Sequence, residues 1–127
     1  MNYEELMELA KKASENSYSP YSKFPVGACV LAESGLVYLG CNFENSSFGL
    51  TICAERNAVG SAIVAGERKI KAVAIYSPNM KNCAPCGACR QVLSEFQSDE
   101  GMDVVTLCDE GLKVYSLNSL LPENFVL

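Results

Sequence analysis

The chain contains no histidine. That absence removes the Ser-His-Asp triad, the His-paired cysteine nucleophile, the facial iron triad and every His-ligated zinc site. Acid–base chemistry near neutral pH is left to a carboxylate, lysine, cysteine or metal-bound water with a shifted pKa. A cationic cluster is missing too: 10 Lys and Arg stand against 15 Asp and Glu, a formal net charge of −5. Affinity for a polyphosphate chain comes largely from cationic contacts that displace counterions, so no nucleic-acid polymer is expected as a partner. No apolar run approaches the ~20 residues that span a bilayer. The opening MNYEELMELAKK is acidic where a secretory signal would be basic, so a cytoplasmic protein without membrane contact is expected.

Repeats, low-complexity tracts and Pro/Ser-rich linkers are absent as well, and a length of 127 residues suits one domain. Apolar residues make up 49% of the chain, enough for a core of ordinary size. What is plentiful is cysteine. Seven are present, but the odd number, the uneven spacing and the lack of an export signal argue against a disulfide framework. Cys83, Cys86 and Cys89 form a tight cluster in sequence that demands another explanation. Cys29, Cys41 and Cys108 sit in strand-like runs and read as small buried apolar residues.

Hydrophobic periodicity gives the elements. Asn2 can cap a first helix, with Glu5 three residues on and Leu6, Leu9, Ala10 and Ala13 along one face, ending near Asn16. Val26 to Ala32 and Leu36 to Cys41 are β-prone runs joined by Glu33-Ser34-Gly35, as in a hairpin. Asn42 to Thr51 reads as a polar loop, Cys53 to Ala65 as a buried helix stopped by Gly66, and Ile70 to Tyr76 as a buried strand. After a loop carrying two prolines, Gly87 to Phe96 reads as a helix. Val104 to Cys108 and Leu112 to Ser116 flank a turn as two more strands, and a short helix precedes Pro122. Strands separated by helices imply a mixed five-stranded sheet with helices on both faces, a three-layer α/β/α sandwich.

Two helix starts carry cysteines: Cys53-Ala54-Glu55 and Pro85-Cys86-Gly87-Ala88-Cys89. A helix N-terminus lowers a thiol's pKa, and thiolates bind zinc. Cys86 and Cys89 share a helix face. Residues two apart inside a helix do not face one another, so Cys53 and Glu55 can meet only if Cys53 sits at the cap, where its backbone is not yet helical. Three thiolates leave one tetrahedral position open and no histidine exists to close it. An open position marks a catalytic zinc, with Glu55 beside the bound water as a proton shuttle and not as a ligand.

C-A-E followed about thirty residues later by P-C-G-A-C-R-Q resembles the zinc cytidine deaminases, in which a non-ligating Glu serves a three-cysteine zinc. Phe24-Pro25-Val26-Gly27-Ala28, Gly40-Cys41-Asn42-Phe43-Glu44-Asn45, Cys53-Ala54-Glu55-Arg56 and Leu120-Leu121-Pro122 resemble the small homotetrameric members in order and spacing, over essentially the whole chain. The resemblance implies one catalytic domain over residues 1–127 and one zinc per chain on Cys53, Cys86 and Cys89. It implies hydrolysis of cytidine and 2′-deoxycytidine to the uridines and ammonia by a zinc-bound hydroxide, in pyrimidine salvage, with Glu55 moving the protons. Arg56 would donate to the cysteine sulfurs. Asn42 and Glu44 would read ribose hydroxyls, and Phe24 would pack on the base or sugar. Asn45 and Ala54 would also touch substrate, while Ser46, Phe48 and Phe125 would complete the site of a neighbouring subunit.

Three features depart from the family pattern: Phe48 stands where tyrosine is common, Cys83 lies outside the motif, and the tail stops two residues after Phe125. Alternatives stay open at the level of sequence. A related zinc deaminase acting on another small substrate, a free base or a nucleotide, shares the metal motif. A structural four-cysteine zinc or iron–sulfur site would recruit Cys83, which is otherwise expected to be a spectator. A polynucleotide-editing deaminase is disfavoured by the net acidity.

Overall fold

A computed structural model describes the whole chain, Met1–Leu127. Asn2 keeps extended backbone and its Oδ1 accepts the Glu5 N–H at 2.8 Å, so helix α1 (Tyr3–Ser14) starts where its capping residue puts it. Strand β1 (Gly27–Ala32) follows, then β2 (Val37–Cys41), helix α2 (Ala54–Val64), β3 (Ile70–Tyr76), α3 (Gly87–Glu95), β4 (Asp103–Cys108), β5 (Gly111–Ser116) and a one-turn α4 (Leu117–Leu120). The loop between β2 and α2 contains a short 3₁₀ turn at Phe48–Leu50 where the polar sequence suggested only irregular chain. Gly66 ends α2 at φ +100°, with its N–H on the Ile63 carbonyl and that of Glu67 on Ala62, the paired bonds of a Schellman stop.

The five strands form one sheet in the order β2-β1-β3-β4-β5. Only β3 and β4 run parallel, linked through α3; the other neighbours are antiparallel. All of β1 is buried, because helices cover both faces and no polar alternation survives. Cys29, Leu31, Ala72, Ala74 and Val105 point to α1, where Leu6, Met7 and Ala10 meet them. Ala28, Val30, Val73, Ile75 and Val104 point the other way, onto Ala58, Ala62, Leu93 and Leu117 of the remaining helices. The expected three-layer sandwich is therefore present, with its two cores separated by the period-2 alternation of the strands.

Boundaries shift by a residue for local reasons. Val26 stays out of β1, its N–H going to Asn42 Oδ1 at 2.9 Å. Gly111 joins β5, pairing with Cys108 at φ +115°. Of the cysteines read as buried, Cys29 is, but Cys41 and Cys108 are only half-buried because each ends a strand at the sheet's rim. No helix is long and apolar enough to cross a membrane.

Gly40 sets how α2 lies on the sheet. A Cβ there would stand 2.4 Å from both the Ala54 carbonyl oxygen and the Ala58 nitrogen. Backbone cannot yield as a side-chain end does, so Gly40→Ala must push the first turn of α2 off β2. Overpacking of this kind costs about 1–3 kcal/mol, which lowers Tm by on the order of 5–10 °C. Thermal denaturation checks this; an unchanged Tm would mean that α2 is not held by close contact at Gly40.

Candidate active site and metal centre

The cysteine cluster follows from two helix starts. Cys53 is the N-cap of α2 (φ −72°, ψ 156°) and Cys86 the N-cap of α3 (φ −67°, ψ 168°). Neither side chain caps its own helix, which frees both sulfurs to turn toward one another. Cys89, one turn further along α3, is fully buried. The three Sγ atoms lie within 4.8 Å of one another. The extended backbone at Cys53 meets the geometric condition set by the sequence: Cys53 at the cap and Glu55 in the first turn converge.

This donor set fits zinc. Three thiol sulfurs around one tetrahedral ion at about 2.3 Å would stand roughly 3.8 Å apart, inside the 4.8 Å within which the three Sγ atoms lie. Cys83 is not part of the cluster, so Cys53, Cys86 and Cys89 would be the three protein donors to a zinc, which would supply Lewis acidity to a water there. Arg56 Nη2 donates to the Thr51 carbonyl at 3.2 Å and to Cys53 Sγ at 3.6 Å. A cation beside a thiolate withdraws electron density from it; the resemblance implied donation to the cysteine sulfurs, and the hydrogen bond formed is to Cys53 Sγ.

The electrostatics divide the cluster. Cys53 is drawn down to about 5, first by the hydrogen bond from the Cys89 thiol and then by Arg56. Cys89 is pushed up for the complementary reason, as the partner that keeps the shared proton. Glu55 is 5% exposed, and burial lifts its carboxyl to about 7, with the Cys53 charge adding to the rise. A carboxyl poised there can take and return a proton near neutral pH.

Glu55 faces a cavity of about 350 Å³ whose lining includes Phe24, Asn42, Ala54, Cys53 and Cys86. Asn42 is buried and largely committed: its Oδ1 accepts from Ser17 Oγ at 2.5 Å and Val26 N–H at 2.9 Å, and its Nδ2 donates to the Phe24 carbonyl at 2.9 Å. One N–H remains for a ligand. Glu44 does not line the cavity. Its carboxylate accepts from the N–H groups of Tyr21 (2.9 Å) and Ser22 (3.1 Å) and from the Ser22 hydroxyl, whose hydrogen bond is the main cause of its lowered pKa. Ser22 itself lines the cavity, so Glu44 meets the site through that residue.

Besides Glu44, four residues expected to bind substrate stand outside the cavity: Asn45, Ser46, Phe48 and Phe125. Asn45 accepts the Ser47 N–H at 2.9 Å, and the Ser46 hydroxyl pairs with Tyr21 OH at 2.7 Å. Phe48 is 72% exposed and lies 5.7 Å from the Tyr21 ring. Phe125 is 68% exposed, its carbonyl accepting from Gln91 Nε2 at 3.1 Å. Sequence reasoning missed Ser22, Thr51 and Ala84 as lining residues. It also missed Arg90, which donates to the carbonyls of Pro85 (2.7 Å) and Leu120 (2.8 Å) and so ties the Cys86 loop to α4. The only available signal for Arg90 was its place directly after Cys89.

Residues 1–105 match the family described as the cytidine and deoxycytidylate deaminase zinc-binding region. A cytidine deaminase of Sporosarcina psychrophila is 44% identical over 125 residues, 98% of this chain and 92% of the relative. One from Halalkalibacterium halodurans is 42% identical over 115 residues, 91% of this chain and 79% of the relative. The crystal structure of cytidine deaminase from Burkholderia pseudomallei superposes with a TM-score of 0.91 at 43% identity, covering 98% of this chain and 100% of that one. Whole-chain identity at this level, with the three sulfurs and Glu55 gathered at one cavity, settles the family: this chain belongs to the cytidine and deoxycytidylate deaminases that carry a zinc-binding region.

Proposed function

We propose that residues 1–127 act as one catalytic domain that converts cytidine and 2′-deoxycytidine with water into uridine and 2′-deoxyuridine plus ammonia. The observation that carries this reading is a buried carboxyl, Glu55, beside a three-sulfur cluster at one end of a nucleoside-sized cavity. The role is pyrimidine salvage in the cytoplasm, by a homotetramer whose neighbouring subunits complete each site. Support for the assembly is the exposure of Phe48 and Phe125, two large apolar side chains left without cover on the single chain.

Cys53, Cys86 and Cys89 would hold the zinc, which supplies the Lewis acidity that makes water reactive near pH 7. The chain's own groups do the rest. Glu55 accepts one proton from the attacking water and passes it to ring N3, then takes the second from the new C4 hydroxyl and delivers it to the amine as the C4–N bond breaks and the C4 carbonyl forms. Burial suits it to this exchange by raising its carboxyl toward neutrality. Arg56 fixes the Cys53 sulfur from behind. Phe24 offers a ring face to the nucleoside, and the free N–H of Asn42 donates to a sugar hydroxyl.

Loss of the cytidine absorbance band on incubation with zinc-loaded protein tests the reading; no loss at full zinc occupancy would overturn it. Sugar recognition has its own test. Glu44→Ala frees Ser22 and raises KM for cytidine roughly 10- to 100-fold, the scale of a hydrogen bond to a charged group, while KM for free cytosine changes little. Equal effects on both would refute a sugar role for Glu44.

A further inference from the structure

Cys83 is the wall between two cavities. On one side it lines the cavity of about 350 Å³ that contains Glu55 and Phe24. On the other it lines a second cavity of about 310 Å³ at the ends of β3 and β4, with Ser77, Asn79, Met80 and Leu107. The residue is 8% exposed and shares the lining of the first cavity with Glu55.

The backbone on either side of Cys83 is pinned. Asn82 holds φ +52°, a left-handed conformation uncommon outside glycine. Its N–H donates to the Leu107 carbonyl at 2.8 Å, and its Oδ1 accepts from Thr106 Oγ1 at 2.7 Å and Tyr115 OH at 3.1 Å. Two residues beyond Cys83, the Pro85 carbonyl accepts from Arg90 Nε at 2.7 Å. A wall anchored at both ends cannot swing aside, so the size of the residue at position 83 decides whether the cavities communicate.

The orientation of a substrate follows from the deaminase reading, on which this inference rests: Glu55 protonates the departing amine, so the amine end of the base lies beside Glu55, and Cys83 is the wall next to it. We infer that the Cys83 side chain partitions the amine end of the substrate site from the second cavity and thereby restricts turnover to pyrimidine nucleosides with a small exocyclic nitrogen. An N4-alkylcytidine needs the same hydrolysis: one water is consumed, its oxygen becomes the C4 carbonyl, the C4–N bond breaks, and an alkylamine leaves with the water's two protons shared between it and ring N3. Only the space for the alkyl group differs, and that space lies behind Cys83.

The test compares zinc-loaded wild type, Cys83→Ala and Cys83→Val on cytidine and N4-propylcytidine. Both kcat/KM and the equilibrium Kd of each nucleoside, by calorimetry, are measured. Cys83→Ala raises the N4-propyl to cytidine ratio of kcat/KM by about tenfold or more, the discrimination that a methylene or two commands in an apolar pocket, and tightens Kd for the propyl compound in parallel. Cys83→Val, which refills the wall, keeps the wild-type ratio. An unchanged ratio in Cys83→Ala, or an equal rise in both variants, overturns the partition. Should Cys83→Ala fail to fold, Cys83→Ile gives the converse reading: a thicker wall weakens N4-methylcytidine at least threefold more than cytidine, and equal weakening overturns the inference. A wild type that binds cytidine but never turns it over at full zinc would sink the deaminase reading instead, while the Kd comparison still judges the wall.

Discussion

Glu55→Gln removes cytidine turnover while the protein keeps one zinc per chain. The amide has nearly the shape of the carboxyl it replaces, and Glu55 contributes no donor to the sulfur cluster, so metal content should not follow activity. What is lost is a group able to accept a proton. Positioned acid–base catalysis contributes on the order of 10²–10⁴ in rate, and in the proposed reaction Glu55 serves at more than one step, which places the expected loss toward the upper end. The measurement is cytidine absorbance against time, with zinc quantified in the same samples. A variant that lost zinc along with activity would make Glu55 part of the metal site, and a variant with more than a tenth of wild-type turnover would remove it from the proton path.

The metal half of this site was legible because its geometry is local. Cys53 and Cys86 are N-caps and Cys89 is one turn further, so three sulfurs are placed by two helix starts, and capping chemistry can be read from neighbouring residues. The sheet was legible for a similar reason: hydrophobic runs mark strands even where full burial erases the alternation, as along β1. The substrate half depends on contacts between distant loops, which no period encodes. Nothing in the order of residues shows that Glu44 grips the Ser22 loop, that Asn42 spends most of its hydrogen bonds on Ser17, Val26 and Phe24, or that Cys83 stands between two cavities. Gly40 shows the same limit at the level of packing. Its sequence context says strand, whereas its function is to let α2 approach within a distance that no Cβ allows.

Cys89→Ser empties the metal site. Cys89 is fully buried and supplies one of only three sulfurs in the cluster. A serine hydroxyl does not ionise in this range, so the variant presents two thiolates to an ion that needs three protein donors. Altering groups that merely support a ligand costs ~10–100-fold in metal affinity; loss of a ligand exceeds that, and zinc per chain falls to a small fraction of the wild-type value. Because metal binds the folded chain, its loss also removes the stabilisation of about 3 kcal/mol that a hundredfold excess over Kd confers. Wild-type Tm therefore drops on addition of a chelator, and the Tm of Cys89→Ser, already low, does not move. Acidification has the same sign as the mutation: thiols must shed protons to bind zinc, so affinity weakens as pH falls. Cys83→Val is the contrasting variant, since its thiol lies outside the cluster, and it retains zinc by the same assay. Loss of metal from Cys83→Val would mean a closed four-sulfur site with no position for water, and hydrolysis at this centre would then have no chemical basis.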